Sequence, residues 1–195
     1  MKVILASTST IRSAILSNAG VTHTAIRPSV DEDVLKIKHA NLTPLQLSLA
    51  LARDKALSVS LMHRSDLVIG ADQVLVCDGQ LFNKPTSMED ARLQLQRLRG
   101  RPHELITSLS ICQDHLQNWS VTDMATLWMR EFGEKFLSEY LDYVGADVTT
   151  SVGGYKLEGR GIQLFYKIDG DHYTILGLPL LQLLAFLRST GVMAA

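Results

Sequence analysis

Asp72 directly follows the apolar run Leu67-Val68-Ile69-Gly70-Ala71. If that run is a strand, the carboxylate is held at its end, where open α/β sheets present ligands; a turn-forming aspartate is the alternative. Cations stand on other segments. Lys55 lies near the end of a helical stretch opening at Thr43-Pro44, where the helix dipole also welcomes a cation, and Lys84 sits in Asn83-Lys84-Pro85 after a strand. The turn Ser7-Thr8-Ser9-Thr10-Ile11-Arg12 puts hydroxyls, free backbone N–H groups and a guanidinium at the start of a helix that follows a strand. That is either an anion site or an ordinary cap with a surface arginine. A further acid, Glu32, lies in a polar loop with Asp31 and Asp33.

The elements that must position these groups follow from periodicity and punctuation. Lys2 to Ala6 reads as a buried strand; Ser7 to Thr10 cap a helix carrying Ile11, Ile15, Leu16 and Ala19, stopped by Gly20; Val21 to Arg27 is a second strand. The Thr43-Pro44 helix presents Leu45, Leu49 and Ala52 on its way to Lys55. Asp66 to Ala71 forms a strand feeding Asp72, and Val74 to Phe82 a hairpin whose Asp78-Gly79 pair suits a type I′ turn. Ser87 and Asp90 cap a helix with Ala91, Leu95 and Leu98, ended by Gly100. Glu104 to Cys112 and Val121 to Arg130 make an antiparallel pair, and Glu134 to Val144 a helix. Ser151 to Gly161 is irregular, Ile162 to Ile168 a strand and Leu178 to Arg188 a closing helix. Strands, helices and hairpins intermix, so an α/β fold with a mixed twisted sheet and flanking helices is expected.

The 195 residues are 46% hydrophobic and 20% charged, which suits one domain. Nineteen basic and twenty acidic residues leave a net charge of -1 without a basic block, which argues against duplex nucleic acid as a partner. Two cysteines, Cys77 and Cys112, support neither a disulfide framework nor a zinc cluster, and a reducing cytoplasm is expected. The apolar run Val3 to Ala6 is too short for a secretory signal. Thr174 to Leu187, interrupted by Pro179 and Gln182, falls short of the ~20 residues that span a bilayer, so no membrane partner is expected.

There is no P-loop, no G-x-G-x-x-G opening a helix and no G-x-S-x-G elbow, and the six histidines show no metal-ligand spacing. A dispersed pattern remains. Leu5-Ala6-Ser7-x-Ser9, Val30-Asp31-Glu32, Ala52-x-x-Lys55-Ala56, Ile69-Gly70-Ala71-Asp72, Lys84-Pro85, Gly154-Tyr155 and Gly177-Leu178-Pro179 stand in one order along the whole chain. In that order they resemble the Maf-like nucleotide pyrophosphatases. The resemblance implies a single Maf-like domain over 1–195, two lobes around a cleft as in inosine-triphosphatase-like folds, and a small-molecule nucleotide substrate. It implies divalent-metal-dependent hydrolysis (Mg, Mn or Co) of a nucleoside triphosphate to the monophosphate and pyrophosphate, and it leaves a homodimer open. By it, Asp72 takes the proton of the attacking water, Ser7, Arg12, Lys55 and Lys84 hold the phosphates, and Glu32 binds metal beside Asp72.

Three departures bear on the base. Ser9-Thr10-Ile11-Arg12 replaces the usual Ser-Pro-Arg-Arg, with one phosphate ligand lost; Asp72-Gln73 replaces Asp-Thr; and Tyr155-Lys156-Leu157-Glu158-Gly159 replaces Tyr-x-Ile-Gln-Gly. Together they are similar to the 7-methyl-GTP subgroup. Guanine presents adjacent N1–H and N2–H₂ donors, which a carboxylate such as Glu158 accepts, whereas a glutamine suits the mixed edge of uracil or thymine. Ile11, Gln73 and Glu158 are thus expected to shape specificity, with Tyr155 or Phe165 as aromatic faces for a charged base. The alternatives are a dTTP/UTP pyrophosphatase of the same family, a nucleotide-binding regulator with little turnover, and an interaction protein in which the pattern is accidental.

Overall fold

The computed structural model describes residues 1–194. Its helices are α1 (Thr10–Asn18), α2 (Glu32–Lys38), α3 (Pro44–Ser60), α4 (Met88–Leu98), α5 (Glu134–Val144), α6 (His172–Ile175) and α7 (Leu180–Ser189). The strands are β1 (Val3–Ala6), β2 (His23–Ala25), β3 (Leu67–Cys77), β4 (Gln80–Phe82), β5 (Pro102–Gln113), β6 (Leu116–Met129) and β7 (Phe165–Asp169). They form a seven-stranded sheet in the order β2-β1-β3-β5-β6-β7, with β4 paired to β3. β1 runs parallel to β2 and β3, whereas β3–β4 and β6–β7 are antiparallel, so the sheet is mixed as its sequence predicts.

Two compact units interleave along the chain. The first comprises Met1–Gln73, Ile106–Asp123 and Asp171–Ala195; the second comprises Val74–Leu105 and Met124–Gly170. In the first, β1 is buried on both faces, which is why Val3 to Ala6 is continuously apolar. Val3 and Leu5 join Ile15, Leu16, Ile69, Leu109, Leu183 and Leu187, while Ile4 and Ala6 pack with Ala56, Val59, Val68 and Cys112. In the second unit α4 buries Ala91, Leu95 and Leu98 and packs on α5 and on short 3₁₀ turns at 145–150 and 152–154.

The expected caps are present. Ser9 accepts from the Arg12 N–H, Thr43 and Gln46 form a reciprocal capping box behind Pro44, and Ser87 accepts from the Asp90 N–H. Asp78 and Gly79, at φ 50° and 75°, make the expected tight turn.

Four expectations need correction. The polar loop around Glu32 is the start of α2, capped by Asp31, with Glu32 and Asp33 in its first turn and Lys36 and Lys38 in its last. No residue of α2 is buried, and its apolar Val34 and Ile37 are exposed, so what marks it in the sequence is the Asp31 cap and the order of its charges. Asp72 does not end a strand, because β3 runs unbroken through Asp72 and Gln73, whose side chains both find partners. On α3, Leu45 is exposed and the buried face instead carries Leu47, Ser48, Leu51, Ala52, Lys55 and Ala56. β7 starts only at Phe165, since the preceding 160–164 forms a 3₁₀ turn.

Candidate active site

The site begins with a glycine. A Cβ at Gly70 would lie 2.0 Å from the Ala52 carbonyl oxygen and 2.8 Å from the Ala56 nitrogen, so α3 lies directly on β3 there. Small residues on both elements make this approach feasible: Ala52 and Ala56 on the helix, Gly70 on the strand. Ser48, one turn before Ala52, directs its hydroxyl at the carbonyls of Asp72 (3.2 Å) and Ile106 (3.3 Å). Asp72 follows Gly70 by two residues and points to the same face of β3. The close approach therefore brings Lys55 onto Asp72, with its ammonium donating to Asp72 Oδ1 at 2.7 Å.

Lys55 also meets Glu32 Oε1 at 2.8 Å, so one ammonium joins the strand acid to the acid on the first turn of α2. Lys55 and Asp72 are each 5% exposed, while Glu32 remains exposed. Burial pushes the Asp72 carboxyl above its ordinary pKa, with Lys55 and then Arg12 pulling it back and Glu32 adding to the rise. A carboxylate so tuned is better placed to accept a proton near neutral pH than a solvated one.

Glu32 and Asp72, both within reach of one ammonium, form a hard-oxygen donor pair. Among the described residues no group of three or more His, Cys, Asp or Glu gathers as a metal cage. Two carboxylates nevertheless suit a cation such as Mg²⁺, which is held through one or two carboxylates with phosphate oxygens completing its shell.

Arg12 is committed differently from its sequence expectation. Its Nε donates to the Gly177 carbonyl at 2.8 Å and Nη1 to the Ala71 carbonyl at 3.0 Å. Gly177, at φ 91°, could not carry a Cβ without crowding this guanidinium, which lies as near as 3.1 Å. Burial lowers the pKa of Arg12, and Asp72 and Glu32 oppose that shift. A guanidinium still stays cationic, and several of its donors remain beyond these two bonds. Ser7 is buried and its hydroxyl accepts from the Ser9 N–H at 3.1 Å, fixing the turn before α1. Ile11, half-buried, packs against the apolar cluster of the first unit. Gln73 turns away from the Asp72 face, donating from Nε2 to Thr107 Oγ1 and the carbonyls of Thr174 and Ile175.

Glu32, Lys55, Asp72 and Arg12 are therefore gathered in the first unit, with Ser7 and Gln73 on the same framework. Lys84 and Glu158 belong to the second unit. Lys84 is exposed between β4 and α4, and Glu158 is exposed beside Lys156, Arg160, Tyr143 and Tyr140 on a cavity of about 280 Å³. Tyr155 is not a free aromatic face: it is 5% exposed, its hydroxyl lies 2.7 Å from His103 Nε2, and Phe165 packs edge-on at 4.9 Å. The aromatic ring on that cavity that sequence inspection missed is Tyr143, 62% exposed, with the Arg160 guanidinium 3.5 Å from its centre. Ser48 was missed as well, although its place one helical turn before Ala52 and two before Lys55 is legible once α3 is known to face β3.

A Maf-like protein family model matches residues 2–190. A protein of Bradyrhizobium diazoefficiens named nucleoside triphosphate pyrophosphatase is 46% identical over 98% of this chain and 95% of its own length. One of the same name from Paramagnetospirillum magneticum is 46% identical over 96% and 98%, and one from Nitrobacter hamburgensis 44% identical over 98% and 95%. In architecture the chain is similar to the Staphylococcus aureus Ham1 protein, with a TM-score of 0.54 over 97% of this chain and 100% of that one at 13% identity. The match over nearly all its length, with relatives of this identity, shows that the chain belongs to the Maf-like family.

Proposed function

We propose that this chain hydrolyses a nucleoside triphosphate to the monophosphate and pyrophosphate, acting as one Maf-like domain over 1–195. The observation that carries the reading is the buried Asp72–Lys55 pair with exposed Glu32 on the same ammonium, in which an acid of raised pKa is held by a cation that also binds a second acid. Asp72 orients the attacking water and takes its proton as the anhydride bond between the α- and β-phosphates breaks. Lys55, Lys84 and the remaining donors of Arg12 carry the negative charge that builds on the departing pyrophosphate, and Ser7 with the first turn of α1 holds phosphate oxygens. A divalent cation held by Glu32 and Asp72 would neutralise the phosphates and polarise them toward attack. In the apolar surroundings of β3 these charges act more strongly than in water.

The substrate is a guanine-type nucleotide, 7-methyl-GTP foremost, with Ile11, Gln73 and Glu158 discriminating the base. Glu158 can accept from the N1–H and N2–H₂ of guanine, and its charge complements a methylated, cationic ring. A dTTP or UTP preference is the competing substrate assignment. Incubating the protein and Mg²⁺ with 7-methyl-GTP, GTP, UTP and dTTP, and resolving the products, tests both parts. Monophosphate plus pyrophosphate, fastest from a guanine triphosphate, is expected. Diphosphate plus orthophosphate would overturn the reaction, and a pyrimidine preference would overturn the base assignment while leaving the reaction intact.

A further inference from the structure

Gln73 Nε2 lies 2.8 Å from Thr107 Oγ1 and 3.0 Å from each of the Thr174 and Ile175 carbonyl oxygens. Carbonyl oxygens only accept, so the amide end that faces them must be the nitrogen, and its orientation is fixed by chemistry. Thr107, fully buried, donates its own hydroxyl hydrogen to the Thr174 carbonyl at 2.9 Å. Its oxygen is left to accept from Gln73. Behind it, the Thr174 hydroxyl donates to Asp123 Oδ2 at 2.7 Å, and Gln182 Nε2 donates to the same oxygen at 3.1 Å. The two hydrogens of the Gln73 amide thus have three acceptors inside the protein. The group left to meet a ligand is its oxygen.

We propose that Thr107 is a positioning residue for specificity: with the Thr174 and Ile175 carbonyls it makes Gln73 an acceptor only, so that Gln73 selects bases that offer an N–H. The proposal rests on the assignment of Gln73 to base discrimination. It sharpens that assignment, because a free glutamine amide can match the donor and acceptor pattern of uracil, whereas an anchored one supplies no donor. At the same ring position guanine presents N1–H and adenine an acceptor nitrogen, so the GTP-to-ATP ratio, compared among proteins that all keep Glu158, reports on Gln73.

Two measurements on the full chain test it. In the ligand-free protein, the Gln73 side-chain NH₂ is expected to exchange with solvent at least about tenfold slower than that of exposed Gln117, as an internally bonded group does. Exchange as fast as at Gln117 would overturn the anchoring, whatever the protein hydrolyses. Affinities for GTP and ATP analogues with a methylene between the α- and β-phosphorus are then compared by calorimetry in wild type, Thr107→Ser and Thr107→Val. Preference for the guanine analogue is expected to fall about tenfold in Thr107→Val and to be retained in Thr107→Ser. An unchanged ratio in Thr107→Val, or an equal loss in both variants, would overturn the positioning role. Because the analogues are not cleaved, these outcomes stand apart from success or failure of the pyrophosphatase assignment.

Discussion

The two units bury polar side chains to a similar depth and treat charge in opposite ways. In the first, Asp72 and Lys55 are both 5% exposed and stay together as an ion pair, with Glu32 on the same ammonium. In the second, His103 at 2% exposure and Tyr155 at 5% share a hydrogen bond and carry no charge. Burial pushes the His103 pKa down to about 4 and those of Tyr140 and Tyr155 well above the ordinary phenol value. Among the described residues His103 Nδ1 has no hydrogen-bond partner, and burial is the cause of the downward shift. A buried group that exists for architecture is cheapest to keep neutral. Keeping an acid and a base charged under the same burial is a cost that makes sense where an anion must be handled.

Breaking the charged side should have the larger effect. Replacing Lys55 by methionine leaves Asp72 buried without its cation, and a loss of about 3–5 kcal/mol in denaturant stability is expected, together with loss of turnover. A stability change under about 1 kcal/mol would mean that the pair is as weak as a surface one.

The neutral side predicts a pH dependence of definite sign. Since the folded pKa of His103 is about 4 and an unfolded histidine titrates near 6.5, the unfolded chain binds the extra proton between those values. Stability from this group is therefore complete above about pH 6.5 and is lost as pH falls to about 4, a change of about 3 kcal/mol. Urea unfolding at both pH values in wild type and His103→Phe isolates it. The variant should lack that part of the acid loss, and equal losses in both proteins would contradict the contrast.

A smaller effect separates the two halves of the charged cluster from the fold around it. In Gly70→Ala the added methyl meets the Ala52 carbonyl, so α3 must shift; overpacking of this kind costs about 1–3 kcal/mol. Lys55 moves with the helix, and turnover should fall more than stability alone explains. A Gly70→Ala protein with wild-type kinetics would show that the approach of α3 to β3 does not set the Lys55–Asp72 geometry.

Much of this was legible in sequence wherever a side chain acts on its own neighbours. Thr43-Pro44, Ser87 and Asp78-Gly79 announce caps and turns because those signals are local. α2 was not legible, since none of its residues is buried and only the Asp31 cap and charge order mark it. Asp72 stands out in the sequence as an acid after an apolar run, whereas its pairing with Lys55, 17 residues away, comes from the packing of α3 on β3. The commitment of Arg12 to carbonyls 59 and 165 residues away, and of the Gln73 amide to Thr107, Thr174 and Ile175, arises only from tertiary packing. Spacing along one chain carries no trace of such partners.

Buried, Lys55-held Asp72 is the proposed proton acceptor. The most direct test of this role is Asp72→Asn, an isosteric change that removes the basic oxygen, assayed for pyrophosphate released from the best triphosphate under saturating Mg²⁺. Loss of kcat by about 10³-fold in a protein that still unfolds cooperatively is the expected result. A folded Asp72→Asn variant that retained kcat within a factor of about ten, below the usual reach of a general base, would contradict it.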